Sequence, residues 1–122
     1  MQDLTSLHHE AMEWVDRAVL ARQQGDRALM LECTNAAFLK ERSAADLAAG
    51  RFELEPTRSI LHRSAAVLAV ECGELREAER LIGRALSGNP PHDIANELRD
   101  LLIDDIYSQR QAIPMLGGFA NA

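Results

Sequence analysis

Residues 59–92, SILHRSAAVLAVECGELREAERLIGRALSGNPPH, decide the fold. Apolar residues recur at three- and four-residue spacing on both sides of Gly73. Ile60, Leu61, Ala65, Leu68, Ala69 and Cys72 precede it, and Leu75, Ala78, Leu81, Ile82, Ala85 and Leu86 follow it. That period puts each set on one face of an α-helix. Gly73 suits the left-handed conformation that closes a helix. The run Ser87, Gly88, Asn89, Pro90, Pro91 stops the second one. The stretch therefore predicts two antiparallel helices, 57–72 and 75–86. The first carries so many small residues that a neighbour can pack very close.

Outward from this hairpin, the same grammar recurs 48 residues earlier at Gly25. A first helix is expected from about residue 4 to 24, with Asp3, Thr5 or Ser6 as its cap. Leu7, Ala11, Trp14, Val15, Ala18 and Ala21 form its stripe. Asp26 then caps a second helix over 27–49. Its expected inward residues are Leu29, Met30, Cys33, Ala36, Ala37, Leu39 or Lys40, Ala44, Leu47 and Ala48, with Phe38 widening the face. Residues 50–57, GRFELEPT, form the one real linker, with Pro56 suited to a helix's first turn and Phe52 and Leu54 pinning the connection to the core. A fifth helix, 91 or 92 to 108, is expected to bury Ile94, Leu98, Leu101, Leu102 and Ile106, with Tyr107 as a further inward candidate. Residues 111–122, QAIPMLGGFANA, contain Pro114, Gly117 and Gly118 and are expected to be non-helical. The fold class predicted is all-α, about five helices in one domain over 1–110, followed by an apolar tail.

Composition narrows the function. At 122 residues and 47% apolar content, the chain has the size of one domain with its own core. A net charge of −6 argues against a nucleic-acid partner, which needs a Lys/Arg-rich face. Lys40 is the only lysine against twelve arginines, as a compositional bias would give. Cys33 and Cys72 belong to no metal-spaced set and read as reduced core residues. No run approaches the ~20 apolar residues that span a bilayer, and the first residues do not read as a signal peptide. A cytoplasmic protein without membrane, metal or cofactor is expected.

The hairpin over 59–92 resembles a tetratricopeptide repeat (TPR), a 34-residue helical hairpin with the pattern W-x2-L-G-x2-Y, then A-x3-F, then Pro. The matching run is His62, Ala65, Ala66 and Ala69, then the turn at Gly73, then Ala78, Ile82, Ala85 and Pro90. His62 and Ala69 replace the large anchors. In the first hairpin Trp14 and Ala18 match, while Met30 and Thr34 depart from the pattern. The resemblance implies a right-handed array of antiparallel helical hairpins, with the fifth helix as a C-terminal cap. It also implies a scaffold that binds a protein or peptide in a groove lined by the first helix of each hairpin. The Lys, Asn and Arg set by which many family members hold an acidic C-terminus is absent: those places carry Met12, Val15, Asp16, Val19 and Gln23, then Ile60, Arg63, Ser64, Val67 and Glu71. The groove expected instead is apolar, made of Val15, Val19, Val67 and Val70 and edged by Arg22 and Arg63.

Candidates for chemistry are few. His8, His9 and Glu13 share the first helix, and a metal would need further ligands from elsewhere; a solvated face is the expectation. His62 lies beside an apolar face and reads as a packed histidine. Arg58 and His62 are similar to the Arg–His pairs of helical ribonuclease folds, at narrower spacing. In the tail, Ile113, Met115, Leu116 and Phe119 have no place in the core pattern; they read as a frayed terminus or as a peptide that docks in an apolar groove, its own or that of a second copy in a homodimer. The leading expectation is a non-catalytic adaptor that binds an apolar peptide or helix. The alternatives are a chaperone-like regulator that masks a client's apolar segment and, more remotely, a ribonuclease-type enzyme.

Overall fold

The computed structural model describes residues 3–109. It is all-α, with helices α1 (Leu4–Gln23), α2 (Arg27–Ala48), α3 (Thr57–Glu71), α4 (Leu75–Leu86) and α5, which begins at His92. A single 3-10 turn, Phe52–Leu54, interrupts the α2–α3 link, and the following Glu55–Pro56 peptide is cis. Helix α5 is regular over His92–Asp100 and widens to π-type over Leu101–Tyr107. Each expected helix is present to within a residue or two. The π-type widening had no signature in the sequence.

Both glycine reversals have the same form. Gly25 and Gly73 adopt φ of 76° and 77°. Beyond each, the next backbone N–H returns to a carbonyl five residues back: Asp26 to Ala21 at 2.9 Å, Glu74 to Ala69 at 2.8 Å. These bonds use helix-end carbonyls that would otherwise lack partners. The starts differ, because Asp3 and Asp26 cap α1 and α2 through their side chains, accepting from the Ser6 and Leu29 N–H groups, whereas α4 has no side-chain cap. Helix α1 packs along α2, α2 on α3, and α3 on α4, while α5 lies against α3 and α4.

Alanine makes these close contacts possible. Ala11, Ala37, Ala44, Ala45, Ala48, Ala65, Ala66, Ala69, Ala78 and Ala85 are all fully buried, and Leu61, Leu81, Ile82, Leu98 and Ile106 fill the space between them. The inward face of α2 is rotated from the expected one. Leu29, Leu39 and Leu47 are exposed, while Thr34, Glu41 and Ala45 are buried. Periodicity favoured the leucines. The close approach of α1 and α3 selects the small residues, and Glu41 is tolerated because it has partners. Its carboxylate meets His8 Nδ1 at 2.9 and 3.0 Å. Burial nonetheless raises the Glu41 pKa above its usual value, against the opposing pull of His8 and Ser64. The expectation of a wholly solvated His8 is thus corrected. His8 is half-buried and joins α1 to α2, and only His9 and Glu13 of that trio are exposed.

The end opposite the two glycines is held by a buried guanidinium. Arg58 donates from Nε to the Ala49 carbonyl (2.8 Å) and from Nη2 to the Arg84 carbonyl (3.1 Å). It therefore closes the C-terminal ends of α2 and α4 onto the start of α3. Phe52 covers it, ring centre 4.6 Å from the guanidinium carbon, and Glu55 lies 4.0 Å from Nη1. Glu55 also accepts from the N–H and hydroxyl of Ser59, which fixes the first turn of α3. Phe52 itself is exposed on its outer side. It pins the linker by stacking on Arg58, whereas Leu54 packs against the core.

Candidate binding groove

At the end of the molecule that carries the glycine reversals, α1, α2 and α3 leave a cavity of about 300 Å³. Its walls are Val15, Ala18, Val19 and Arg22 of α1 and Leu68 and Glu71 of α3. Met30, Leu31 and Thr34 come from the first turns of α2. The reversal at Gly25 produces this juxtaposition, since it folds the start of α2 back beside the end of α1. The interior is mixed, aliphatic along Val15, Val19, Met30, Leu31 and Leu68 and polar toward Arg22, Glu71 and Thr34. The hydroxyl of Thr34, its one neutral polar group, already donates to the Met30 carbonyl at 2.8 Å. Arg22 and Glu71 are exposed at its edges. Val19 (49% exposed) and Leu31 (45%) continue the apolar surface outward, so the cavity opens to solvent along branched aliphatic side chains. The volume is at the small end of ligand pockets.

The structure gathers part of the groove expected from sequence. Val15, Val19 and Arg22 line the cavity. Val67 is exposed beside it without lining it, and Val70 packs partly into the core. Arg63 is turned toward α5, where it pairs with Glu97. Ala18, Met30, Leu31, Thr34, Leu68 and Glu71 were missed as groove residues. The reversal at Gly25 was legible, but the resemblance drew attention to the first helix of each hairpin and away from the start of α2; on α3 the wall is Leu68 and Glu71 in place of Val67 and Val70. The tail residues Ile113, Met115, Leu116 and Phe119 lie outside the described residues.

The candidates for chemistry occupy structural positions. His62 is fully buried and both ring nitrogens are engaged. Nδ1–H donates to the Arg58 carbonyl (2.7 Å), which leaves Nε2 to accept from Arg84 Nε–H (2.8 Å). Arg84 then reaches Asp46 of α2 at 2.8 Å. Arg80 pairs with Glu77 on the surface of α4, whereas Arg84 links α4 to His62 of α3 and Asp46 of α2. Burial is the main cause that pushes the His62 pKa down to about 4; the Arg84 and Arg58 charges add to it, while the bond to the Arg58 carbonyl and Asp46 oppose it. Arg58 and His62 therefore lie inside the hairpin, out of reach of a substrate. Among the described residues no three His, Cys, Asp or Glu side chains cluster to hold a metal, and no helix is long and apolar enough to cross a membrane.

A pH dependence follows from His62. Its folded pKa lies below the unfolded value of 6.5, so the unfolded chain binds the proton more readily. The contribution is complete above pH 6.5 and is lost as pH falls toward about 4, with a slope of up to about 1.4 kcal/mol per pH unit. Glu41 acts in the opposite sense, because its raised pKa favours the folded state as pH falls. The comparison that isolates His62 is urea unfolding of the wild type against His62→Asn from pH 7 to 4. The wild type is expected to lose stability more steeply. Parallel profiles would contradict the assignment.

Compared with family models, with curated proteins and with solved structures, the chain matches none.

Proposed function

We propose that this chain is a non-catalytic, TPR-like adaptor of the cytoplasm that binds an apolar helix or peptide of a protein partner in the groove between α1 and α3. The observation that carries this reading is the open cavity of about 300 Å³ whose aliphatic surface continues through Val19 and Leu31. Exposed aliphatic side chains around a concavity favour burial against a partner, at roughly 25 cal/mol per Å² of apolar area. The TPR-like arrangement is supported by the two equivalent reversals at Gly25 and Gly73 and by the buried Ala18, Ala21, Ala66 and Ala69 before them. The Arg63–Glu97 pair, which joins α3 to α5 across 34 residues, adds support at the spacing of one repeat. The ribonuclease-type alternative needs His62 or His9 in a cleft with a charged partner; His62 is closed on both nitrogens, and His9 is exposed on α1 outside the cavity lining.

The test is a substitution that charges the groove without disturbing the core. Val19→Glu alters a half-exposed position and is expected to change stability by no more than about 0.5 kcal/mol. It should abolish capture of partners that the wild type retains. Leu39→Glu, at an exposed leucine of α2 outside the cavity lining, should leave capture intact. Equal capture by the wild type and Val19→Glu would remove the groove from the function.

A further inference from the structure

The groove lies within reach of the chain's own last residues. Helices α3 and α5 run parallel. Near the start of α3, Arg58 lies so close to Gly88, just ahead of α5, that a β-carbon there would overlap Nη1. Further along, Arg63 pairs with Glu97. At that register, the end of the described α5 lies at the level of the Gly73 reversal. That is the same end of the molecule as Leu68 and Glu71, which wall the cavity. The chain thus leaves α5 on the groove side rather than at the Arg58 end.

Residues 111–122 carry no charged side chain and contain four large apolar ones, Ile113, Met115, Leu116 and Phe119. An extended chain advances about 3.3–3.6 Å per residue, so Met115 lies up to about 20 Å beyond Gln109. Packed helices are spaced about 8–10 Å apart. Crossing from α5 over the end of α3 to the cavity takes about two such spacings. By length alone an extended chain lets Met115, Leu116 and Phe119 span that distance, and Ile113 is too few residues beyond Gln109 to do so.

We propose that Met115, Leu116 and Phe119 of the same chain occupy the α1–α3 groove in the free protein, so that a partner binds by displacing them. This rests on the reading of that groove as the binding site. The chemistry matches: uncharged apolar side chains meet Val15, Val19, Met30, Leu31 and Leu68, with the Arg22 and Glu71 charges left at the edges in water. A short tether holds a segment at an effective concentration on the order of millimolar. A peptide that binds with a Kd near 100 µM when free is therefore about tenfold favoured in the closed state when tethered. The same closure lowers partner affinity by about that factor.

The probe is a fluorescent synthetic peptide of residues 111–122, titrated onto full-length chains. Wild type is compared with the double variant Met115→Asp, Leu116→Asp, whose own tail no longer fits. The double variant is expected to bind the peptide at least tenfold more tightly than the wild type. Adding Val19→Glu should abolish that binding, and all forms should have the mass of a monomer in sedimentation equilibrium. Equal affinity for the wild type and the double variant overturns the proposal, as does no peptide binding to the double variant. A wild-type dimer that dissociates in the double variant also overturns it, by placing the tail in a second copy. If the double variant ignores the tail peptide but still captures a partner in a Val19-dependent way, this inference falls and the adaptor reading stands. Loss of Val19 dependence in partner capture removes the adaptor reading itself.

Discussion

Arg58→Met is expected to lower the stability of the folded chain by about 3 kcal/mol or more, from the loss of two buried hydrogen bonds given by a charged group, each worth about 1.5–3 kcal/mol. The guanidinium is fully buried and gives hydrogen bonds to the Ala49 and Arg84 carbonyls. Its loss takes a buried donor from both carbonyls, leaving that of Arg84 with only the Ser87 hydroxyl, and takes the cation from beside the Glu55 carboxylate, which keeps its Ser59 donors. Methionine keeps the apolar stem but restores none of these bonds. Domains of this size are stable by about 5–15 kcal/mol, so the variant would be close to unfolding at body temperature. The neighbouring glycine gives an independent check. A β-carbon at Gly88 would overlap Nη1 and meet the guanidinium carbon at 3.1 Å and Phe52 Cε1 at 3.3 Å. An arginine tip usually moves aside, but this one is fixed by two carbonyls and by Phe52. Gly88→Ala is therefore destabilising in the wild type and nearly neutral in the Arg58→Met background. Urea unfolding of the four chains measures that coupling. Additive costs would mean that Arg58 is not the group Gly88 makes room for.

The second large effect is expected at α5. Leu98→Ala removes a fully buried side chain where α5 covers α3 and α4, and should cost about 2–5 kcal/mol through lost burial and the cavity left behind. Ile103→Ala, on the same helix but 58% exposed, should cost a few tenths of that. Thermal or urea unfolding of the two variants decides whether α5 is an integral part of the core. Equal and small losses would show that the first four helices are stable without it.

Much of the architecture was legible in the sequence because helices announce themselves locally. The three- and four-residue periods, the aspartates at positions 3 and 26, and Gly25 and Gly73 gave the number of helices, their limits and their reversals. Those signals depend on neighbours within about one turn. The groove was half legible. Val15, Val19 and Arg22 fall in it as expected, but Met30, Leu31 and Thr34 join them only because α2 folds back beside the end of α1, and Leu68 because α3 packs against α2.

The sequence by itself determined an all-α chain of five helices with alanine-lined contacts, since helix period, capping and left-handed glycines are set by the backbone and side chains of adjacent residues. Only the tertiary structure decided which face of α2 turns inward, that Glu41 and Arg58 are buried ions with partners on other helices, that His62 is a neutral bridge to Arg84, and where the cavity opens. Each of these depends on residues tens of positions apart meeting in space. Leucine and glutamate at neighbouring helix positions fit the same period, and the close approach of the next helix selects which of them goes inside.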